Sequence, residues 1–175
     1  MALKIIYFVR HGETVLNAKG VRQGSEGSLT EKGRDQALAT AKRFPKHKGC
    51  PQIIYSSPFE RAKETAEIIA KELNLKIEYI DLLKERKNPK EIIGHWGEEP
   101  GIKQIIDHID KSYHADDLRV SDEENFTDLK KRAEKLLDFI SQEYHKKIIM
   151  VTHKIFLKMV ISYMLYGDNL TASEY

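Results

Sequence analysis

The stretch LKIIYFVRHG, residues 3–12, decides the fold. Its apolar run up to Val9 is typical of a β-strand that is covered on both faces. The run ends in Arg10-His11-Gly12, so a cation and an imidazole stand together at the carboxyl end of the strand. Open α/β sheets bind their ligands at this edge. Gly12 allows the backbone to turn sharply beside these two side chains.

Two further strand ends carry polar side chains of the same kind. The apolar run IIMVT at 148–152 ends at His153, and the short run at 53–55 is followed by Ser56-Ser57-Pro58. Proline favours the first turn of a helix, so Arg61 is predicted to lie close to a helix N-terminus. Two histidines and two arginines at strand ends of one sheet predict a pocket for an anion, and the residue types favour phosphate.

Strands and helices alternate along the chain, which predicts an α/β fold with a largely parallel sheet. Strands are predicted at about 3–9, 53–55, 77–80 and 148–152. Helices are predicted after an N-cap at Thr30, from Ser57, over 126–140 and from Lys154. Residues 82–117 contain several Gly and Pro residues and predict a partly helical excursion over one face. We expect one domain over 1–175.

The composition indicates which classes of partner and which cellular compartment to expect. The hydrophobic and charged fractions, 41% and 32%, are those of a globular protein, and the net charge of +2 gives no reason to expect a nucleic acid or membrane partner. The single Cys50 indicates a reducing compartment. The N-terminal run is too short for a signal peptide, and no apolar run is long enough to span a bilayer. We therefore expect a cytoplasmic protein, and the oligomeric state stays open.

The residue types at the strand ends suit phosphoryl transfer. A neutral imidazole attacks phosphorus to give a phosphohistidine, and His11 is the better candidate because it lies beside Arg10 on a glycine turn. Arg10 and Arg61 are predicted to bind phosphate oxygens. His153 is predicted to add a donor and, if it is protonated, a third positive charge. A lone histidine at a strand end is more often structural; it is the convergence of four such side chains that favours a site.

Three motifs, taken in order, resemble those of the histidine phosphatase superfamily, the phosphoglycerate-mutase-like proteins. The first is FVRHGET at 8–14, with Asn17, RQG at 22–24 and LTEKG at 29–33; the second is SSPFERAKETA at 56–66; the third is VTH at 151–153. The resemblance implies a three-layer α/β/α sandwich, with a sheet of five or six strands of which one is antiparallel. It also implies metal-independent hydrolysis of a phosphate monoester through a phosphohistidine on His11, without a cofactor.

The resemblance assigns roles to further residues. Glu85 stands where the family carries the acid that protonates the leaving oxygen, although Asp81 is a rival carboxylate and a solvated surface charge is the plainer interpretation of Glu85. Asn17 resembles a neutral phosphate-binding side chain, and Gln23 is expected to contact substrate. No metal site is expected, since His108 and His114 lack a carboxylate or thiolate at ligand spacing.

Other features leave the activity open. Lys154 stands where many relatives carry a small residue, and the sequence does not decide whether it extends the phosphate grip or points away from the helix start. His95-Trp96 is expected to be a packed Trp beside an exposed His rather than a substrate wall. The short excursion favours a phosphatase that acts on a small phosphorylated metabolite. The alternatives are a phosphoglycerate mutase-type phosphotransferase, a phosphoprotein phosphatase and a non-catalytic phosphate-binding module.

Overall fold

A four-stranded sheet is the centre of the computed structural model, which describes residues 3–45, 49–112, 119 and 121–175. The strands are β1 (Ile5–Arg10), β2 (Ile53–Ser56), β3 (Ile77–Tyr79) and β4 (Lys147–Thr152). Their order is β1-β4-β2-β3, and every neighbouring pair is parallel. A parallel sheet needs cover on both faces, which explains why β2 and β4 read as continuous apolar runs.

Six α-helices accompany the sheet in the part of the chain that the structure describes. They are α1 (Val15–Ala18), α2 (Glu31–Ala41), α3 (Glu60–Leu73), α4 (Pro100–Ser112), α5 (Phe126–Gln142) and α6 (Lys154–Tyr166). Short 3₁₀ helices lie at Asp81–Leu83, Lys90–Ile92 and Gly167–Asn169. The prediction of a strand–helix alternation with a parallel sheet is confirmed.

Two apolar cores lie on opposite faces of the sheet. Alternate strand residues point to alternate faces, so Ile54 and Ile149 pack with α2 and α3, whereas Ile148 and Met150 pack with α4, α5 and α6. The result is three layers, with helices on both faces of the sheet. This is the α/β/α sandwich that the resemblance implies.

Some element boundaries differ from the sequence prediction. Thr30 caps α2 as expected, its side chain accepting a hydrogen bond from the Gly33 N–H at 3.0 Å. Pro58 lies before the helix rather than in its first turn, since α3 begins at Glu60. Within the part of the chain that the structure describes, the sheet has four parallel strands. The fifth or sixth, antiparallel strand implied by the resemblance is not among them.

The excursion between β3 and α5 is partly helical, as predicted. It carries the 3₁₀ helix at 90–92 and α4, while its predicted end at Asp117 lies outside the described residues, as does His114. An isolated antiparallel bridge between Val21 and Trp96 ties the excursion to the loop after β1. Among the described residues, no helix combines the length and apolar character that crossing a bilayer requires.

Candidate active site

Strand register brings the two histidines together. Arg10 and Thr152 are partners in the β1–β4 pair, and the His11 N–H donates to the Thr152 carbonyl at 3.1 Å. The residues that follow, His11 and His153, therefore leave the sheet side by side, with ring centroids 5.1 Å apart. The carboxyl edge of the sheet holds both, as the sequence predicts.

His11 is held as a neutral ring with one free nitrogen. Its side chain is buried, with the residue 7% exposed, and Nδ1 lies 2.7 Å from the Gly12 carbonyl oxygen. A carbonyl only accepts, so we assign the proton to Nδ1, which leaves the Nε2 lone pair available. Burial, with the positive charges of Arg61 and Arg10, lowers the pKa of His11 to about 4 despite the opposing bond to Gly12. The ring is therefore an imidazole at neutral pH.

A close backbone contact holds the turn after His11. A Cβ on Gly12 would lie 2.3 Å from the Gly33 carbonyl oxygen, and a Cβ on Gly33 would lie 2.1 Å from the Glu13 carbonyl oxygen. Only glycine permits such an approach at both positions. The Gly12 N–H also donates to Thr65 Oγ1 at 3.1 Å, so α2 and α3 together position the loop that carries His11.

Arg61 presents a buried guanidinium from the first turn of α3. Its Nη1 donates to the Gly24 carbonyl at 2.8 Å, and its Nε is buried without a hydrogen-bond partner among the described residues. Burial lowers the pKa of Arg61 to about 10, with Glu85 opposing this effect and Arg10 adding to it. The group therefore keeps its charge at neutral pH.

His153 lies beside His11 and is fully buried. Its Nε2 is 2.8 Å from Ser57 Oγ, and the edge of Phe59 packs against its ring at a centroid distance of 5.3 Å. Within the described chain its Nδ1 has no hydrogen-bond partner. Burial, followed by the charge of Arg61, lowers the pKa of His153 well below its ordinary value, so the condition for a third positive charge is not met at neutral pH.

Glu85 connects the site to the start of α6. Its carboxylate accepts hydrogen bonds from the Phe156 N–H at 3.0 Å and the Ile155 N–H at 3.3 Å. It is therefore not a solvated surface charge. The rival Asp81 side chain is 80% exposed, forms an ion pair with Lys84 at 2.7 Å and lies outside the cavity beside His11.

Most of these side chains line a cavity of about 370 Å³. Gln23 contributes to its wall and donates to Thr14 Oγ1 at 2.6 Å, the same oxygen that caps α1 at the Asn17 N–H. Six of the seven residues singled out from the sequence line the cavity: Arg10, His11, Asn17, Gln23, Arg61 and Glu85. The seventh, His153, is fully buried and does not line the cavity, and its ring lies next to that of His11.

The rest of the wall was not assigned from the sequence. It includes Arg22, Arg86, Trp96, Glu98 and Lys154. The expectation of a packed Trp96 is wrong, since this side chain is 49% exposed and faces the cavity. The bridge between Val21 and Trp96 holds the Trp96 side chain at the cavity. These two residues are far apart in sequence, so no local sequence pattern predicts their contact.

No group of three or more His, Cys, Asp or Glu side chains suited to a metal ion occurs among the described residues. Cys50 is exposed and forms no disulfide.

The profile of the histidine phosphatase superfamily (branch 1) matches residues 6–174. The chain belongs to this superfamily. A metal-independent phosphoserine phosphatase of Arabidopsis thaliana is 37% identical in a 160-residue alignment that covers 85% of this chain and 63% of the plant protein. This chain thus spans less than two thirds of the length of that relative. A Salmonella arizonae protein named "Probable phosphoglycerate mutase GpmB" is 32% identical over 91% of this chain and 74% of its own.

A solved structure agrees with the sequence comparisons. Phosphoserine phosphatase from Entamoeba histolytica, in complex with 3-phosphoglyceric acid, has a TM-score of 0.75 and 28% identity, covering 97% of this chain and 84% of that one. The superfamily thus includes proteins named for both phosphatase and mutase activity that are similar to this chain.

Proposed function

We propose that this protein is a phosphatase that hydrolyses a phosphate monoester through a phosphohistidine on His11. The neutral ring of His11 has Nδ1 occupied by the Gly12 carbonyl, and the charges of Arg61 and Arg10 are near enough to lower its pKa. A free nucleophile beside two cations is what attack on a phosphoryl group requires. The phosphatases among the similar proteins support the same activity.

One observation carries the proposal. The Arg61 guanidinium lines the cavity and lowers the pKa of His11, and its Nε is buried without a hydrogen-bond partner among the described residues. A buried polar atom without a partner is costly in a folded protein. Phosphate oxygens at His11 would supply acceptors for the N–H groups of this guanidinium, so a tetrahedral oxyanion suits the arrangement.

The reaction takes two displacements in this proposal. His11 Nε2 attacks phosphorus and forms the N–P bond while the ester O–P bond breaks, and Glu85 gives its proton to the leaving oxygen. Glu85 then removes a proton from a water molecule, whose oxygen attacks phosphorus and breaks the N–P bond. Inorganic phosphate and a neutral His11 result. Arg10 and Arg61 bind the equatorial oxygens in both steps.

The remaining residues orient the substrate. Asn17 and Gln23 face the same cavity, and we assign Asn17 to the phosphate and Gln23 to the rest of the substrate. Side chains thus supply the nucleophile, the charge stabilisation and the proton transfer, so we propose a metal-independent reaction on a small phosphorylated metabolite. The exposed lone Cys50 supports a cytoplasmic location, where thiols stay reduced.

Phosphate release in the presence of EDTA tests the proposal. We expect the wild type to release phosphate from p-nitrophenyl phosphate and from small phosphate esters, and His11→Ala to lose at least a hundredfold of this rate. His108→Ala is the matched control, because His108 is exposed on α4 and outside the cavity. Labelled substrate should leave an acid-labile, base-stable phosphoryl group on the wild type alone. Full activity of a folded His11→Ala would disprove the nucleophile assignment.

The similarity to the mutase-named protein favours one second candidate, a phosphoglycerate mutase-type phosphotransferase. It shares the phosphohistidine step but must return the phosphoryl group to an acceptor other than water. Interconversion of 2- and 3-phosphoglycerate without phosphate release would identify that activity, whereas release would exclude it as the main reaction.

A further inference from the structure

The cavity beside His11 carries more positive charge than a phosphate group requires. Arg10 and Arg61 suffice for the two charges of a phosphate monoester. Arg22 and Lys154 also line the wall, and within the described chain neither side chain forms a hydrogen bond or an ion pair. Two carboxylates lie in the same wall: Glu85, the proposed acid, and Glu98, which is paired with Lys103 at 2.6 Å and also interacts electrostatically with Arg22.

Arg22 has a fixed place in this wall. Its backbone N–H donates to the His95 carbonyl at 2.9 Å, and its own carbonyl accepts from the Gly94 N–H at 2.9 Å. The loop after β1 and the excursion are thus joined at this residue. These backbone hydrogen bonds to the excursion, which also carries Trp96, hold the backbone of Arg22 in place.

Lys154 has an equally defined origin. It is the first residue of α6, directly after His153, and the next two backbone N–H groups bind the Glu85 carboxylate. Glu85 is the residue that we place at the leaving oxygen. Because Glu85 is the proposed acid, we expect a side chain that leaves the same helix start to lie on the leaving-group side of the phosphate. Arg86, which donates to Asn88 Oδ1 at 3.2 Å, adds a buried cation to that side of the wall.

We propose that Lys154 and Arg22, with Arg86, form a subsite for a second anionic group, and that Lys154 determines substrate specificity. The substrate class is a small phosphate monoester whose leaving group carries a carboxylate or a second phosphate. This inference rests on the proposed function. Three cations in a partly closed cavity of about 370 Å³ concentrate positive potential on a bound leaving group.

Matched substrates isolate the second charge. 3-Phosphoglycerate and glycerol 3-phosphate differ in one carboxylate, and propane-1,3-diol bisphosphate and propyl phosphate differ in one phosphate. We expect the wild type to favour the doubly anionic member of at least one pair by roughly tenfold or more in kcat/KM. One charge-assisted hydrogen bond to the second anionic group would account for a difference of this size. The pair that shows the preference identifies the carboxylate or the phosphate as the group bound.

Lys154→Met should reduce that preference roughly tenfold. Lys158→Met is the control, because Lys158 lies one turn further along α6, is exposed and sits over the Tyr175 ring outside the cavity. Equal preference in the wild type for the members of both pairs, or an unchanged preference in Lys154→Met, would overturn the subsite.

Calorimetric binding to His11→Ala separates this inference from the proposed function, because it needs no turnover. Tighter binding of 3-phosphoglycerate than of glycerol 3-phosphate, weakened by Lys154→Met, would support the subsite even if the wild type released no phosphate. Phosphate release with equal binding of both ligands would leave the phosphatase standing and reject the subsite.

Discussion

Glu85 accepts a hydrogen bond from the Phe156 N–H at 3.0 Å, so the carboxylate that faces the cavity also caps α6. His153, the residue in the N-cap position of this helix, makes no side-chain cap of its own. A side chain more than sixty residues away in sequence therefore satisfies the first amides of α6. These hydrogen bonds fix the position of the proposed acid relative to the start of the helix that carries Lys154.

The dual position of Glu85 allows its two roles to be separated. In Glu85→Gln the amide oxygen still accepts from α6, but the side chain no longer transfers a proton. We expect the free energy of unfolding to change by less than about 1 kcal/mol, while phosphate release from alkyl phosphates falls roughly a hundredfold. Release from p-nitrophenyl phosphate should fall much less, because its leaving group needs no proton. Phosphate assays and urea unfolding measure the two effects.

Two further variants complete that test. Glu85→Ala removes the cap as well and should cost a further 1 kcal/mol or so of stability. Asp81→Asn should leave both rates unchanged, because Asp81 is exposed and paired with Lys84. Equal losses on alkyl and p-nitrophenyl esters in Glu85→Gln would reject Glu85 as the acid.

His11 should make stability depend on pH in a defined window. Its folded pKa is about 4, below the ordinary value of 6.5, so the unfolded chain binds more protons between these values. The stabilisation is complete above about pH 6.5 and is lost as the pH falls toward 4. Between pH 7 and pH 5 the wild type should lose about 2 kcal/mol more than His11→Asn does. Urea unfolding at both values measures this, and the same pH dependence in the two proteins would contradict the lowered pKa.

Much of the fold follows from local patterns in the sequence. The apolar runs place all four strands, and Thr30 caps α2 as its sequence context predicts. The grouping of His11 and His153 is also predictable, because parallel strands end at one edge of a sheet. These features depend on the periodicity of apolar residues and on the rule that parallel strands end at the same edge of a sheet. Both can be applied to the sequence alone.

The depth of the site and its outer wall could not be predicted. His153 is buried beside His11 and does not line the cavity, and burial of this kind depends on how α3 and α6 pack. Trp96 reaches the wall through a bridge to Val21, and Glu85 is fixed by amides of α6. Each of these contacts joins segments that are distant in sequence, so the local spacing of residue types does not predict them.

Gly33 should be intolerant of a side chain. A Cβ there would lie 2.1 Å from the Glu13 carbonyl oxygen, and the backbone on both sides would have to move. We expect Gly33→Ala to cost roughly 1–3 kcal/mol of stability and to lower phosphate release at least tenfold, because the displaced loop carries His11. Gly101→Ala is the control, since a Cβ at that position meets no atom within 4 Å. Thermal unfolding and activity of the two variants should differ, and equal behaviour would show that the loop adapts.

Ser57 should act by positioning His153. Its Oγ lies 2.8 Å from His153 Nε2, and Ser57→Ala would leave that buried nitrogen without a partner. Ser56 is a matched control, because it is equally buried but its hydroxyl donates to the carbonyls of Ser57 and Ala62. We expect both alanine variants to lose roughly 1–3 kcal/mol of stability. Phosphate release should fall about tenfold or more only in Ser57→Ala, because only there is the ring beside the nucleophile free to turn. Parallel losses of activity in the two variants would show that Ser57 contributes to packing alone.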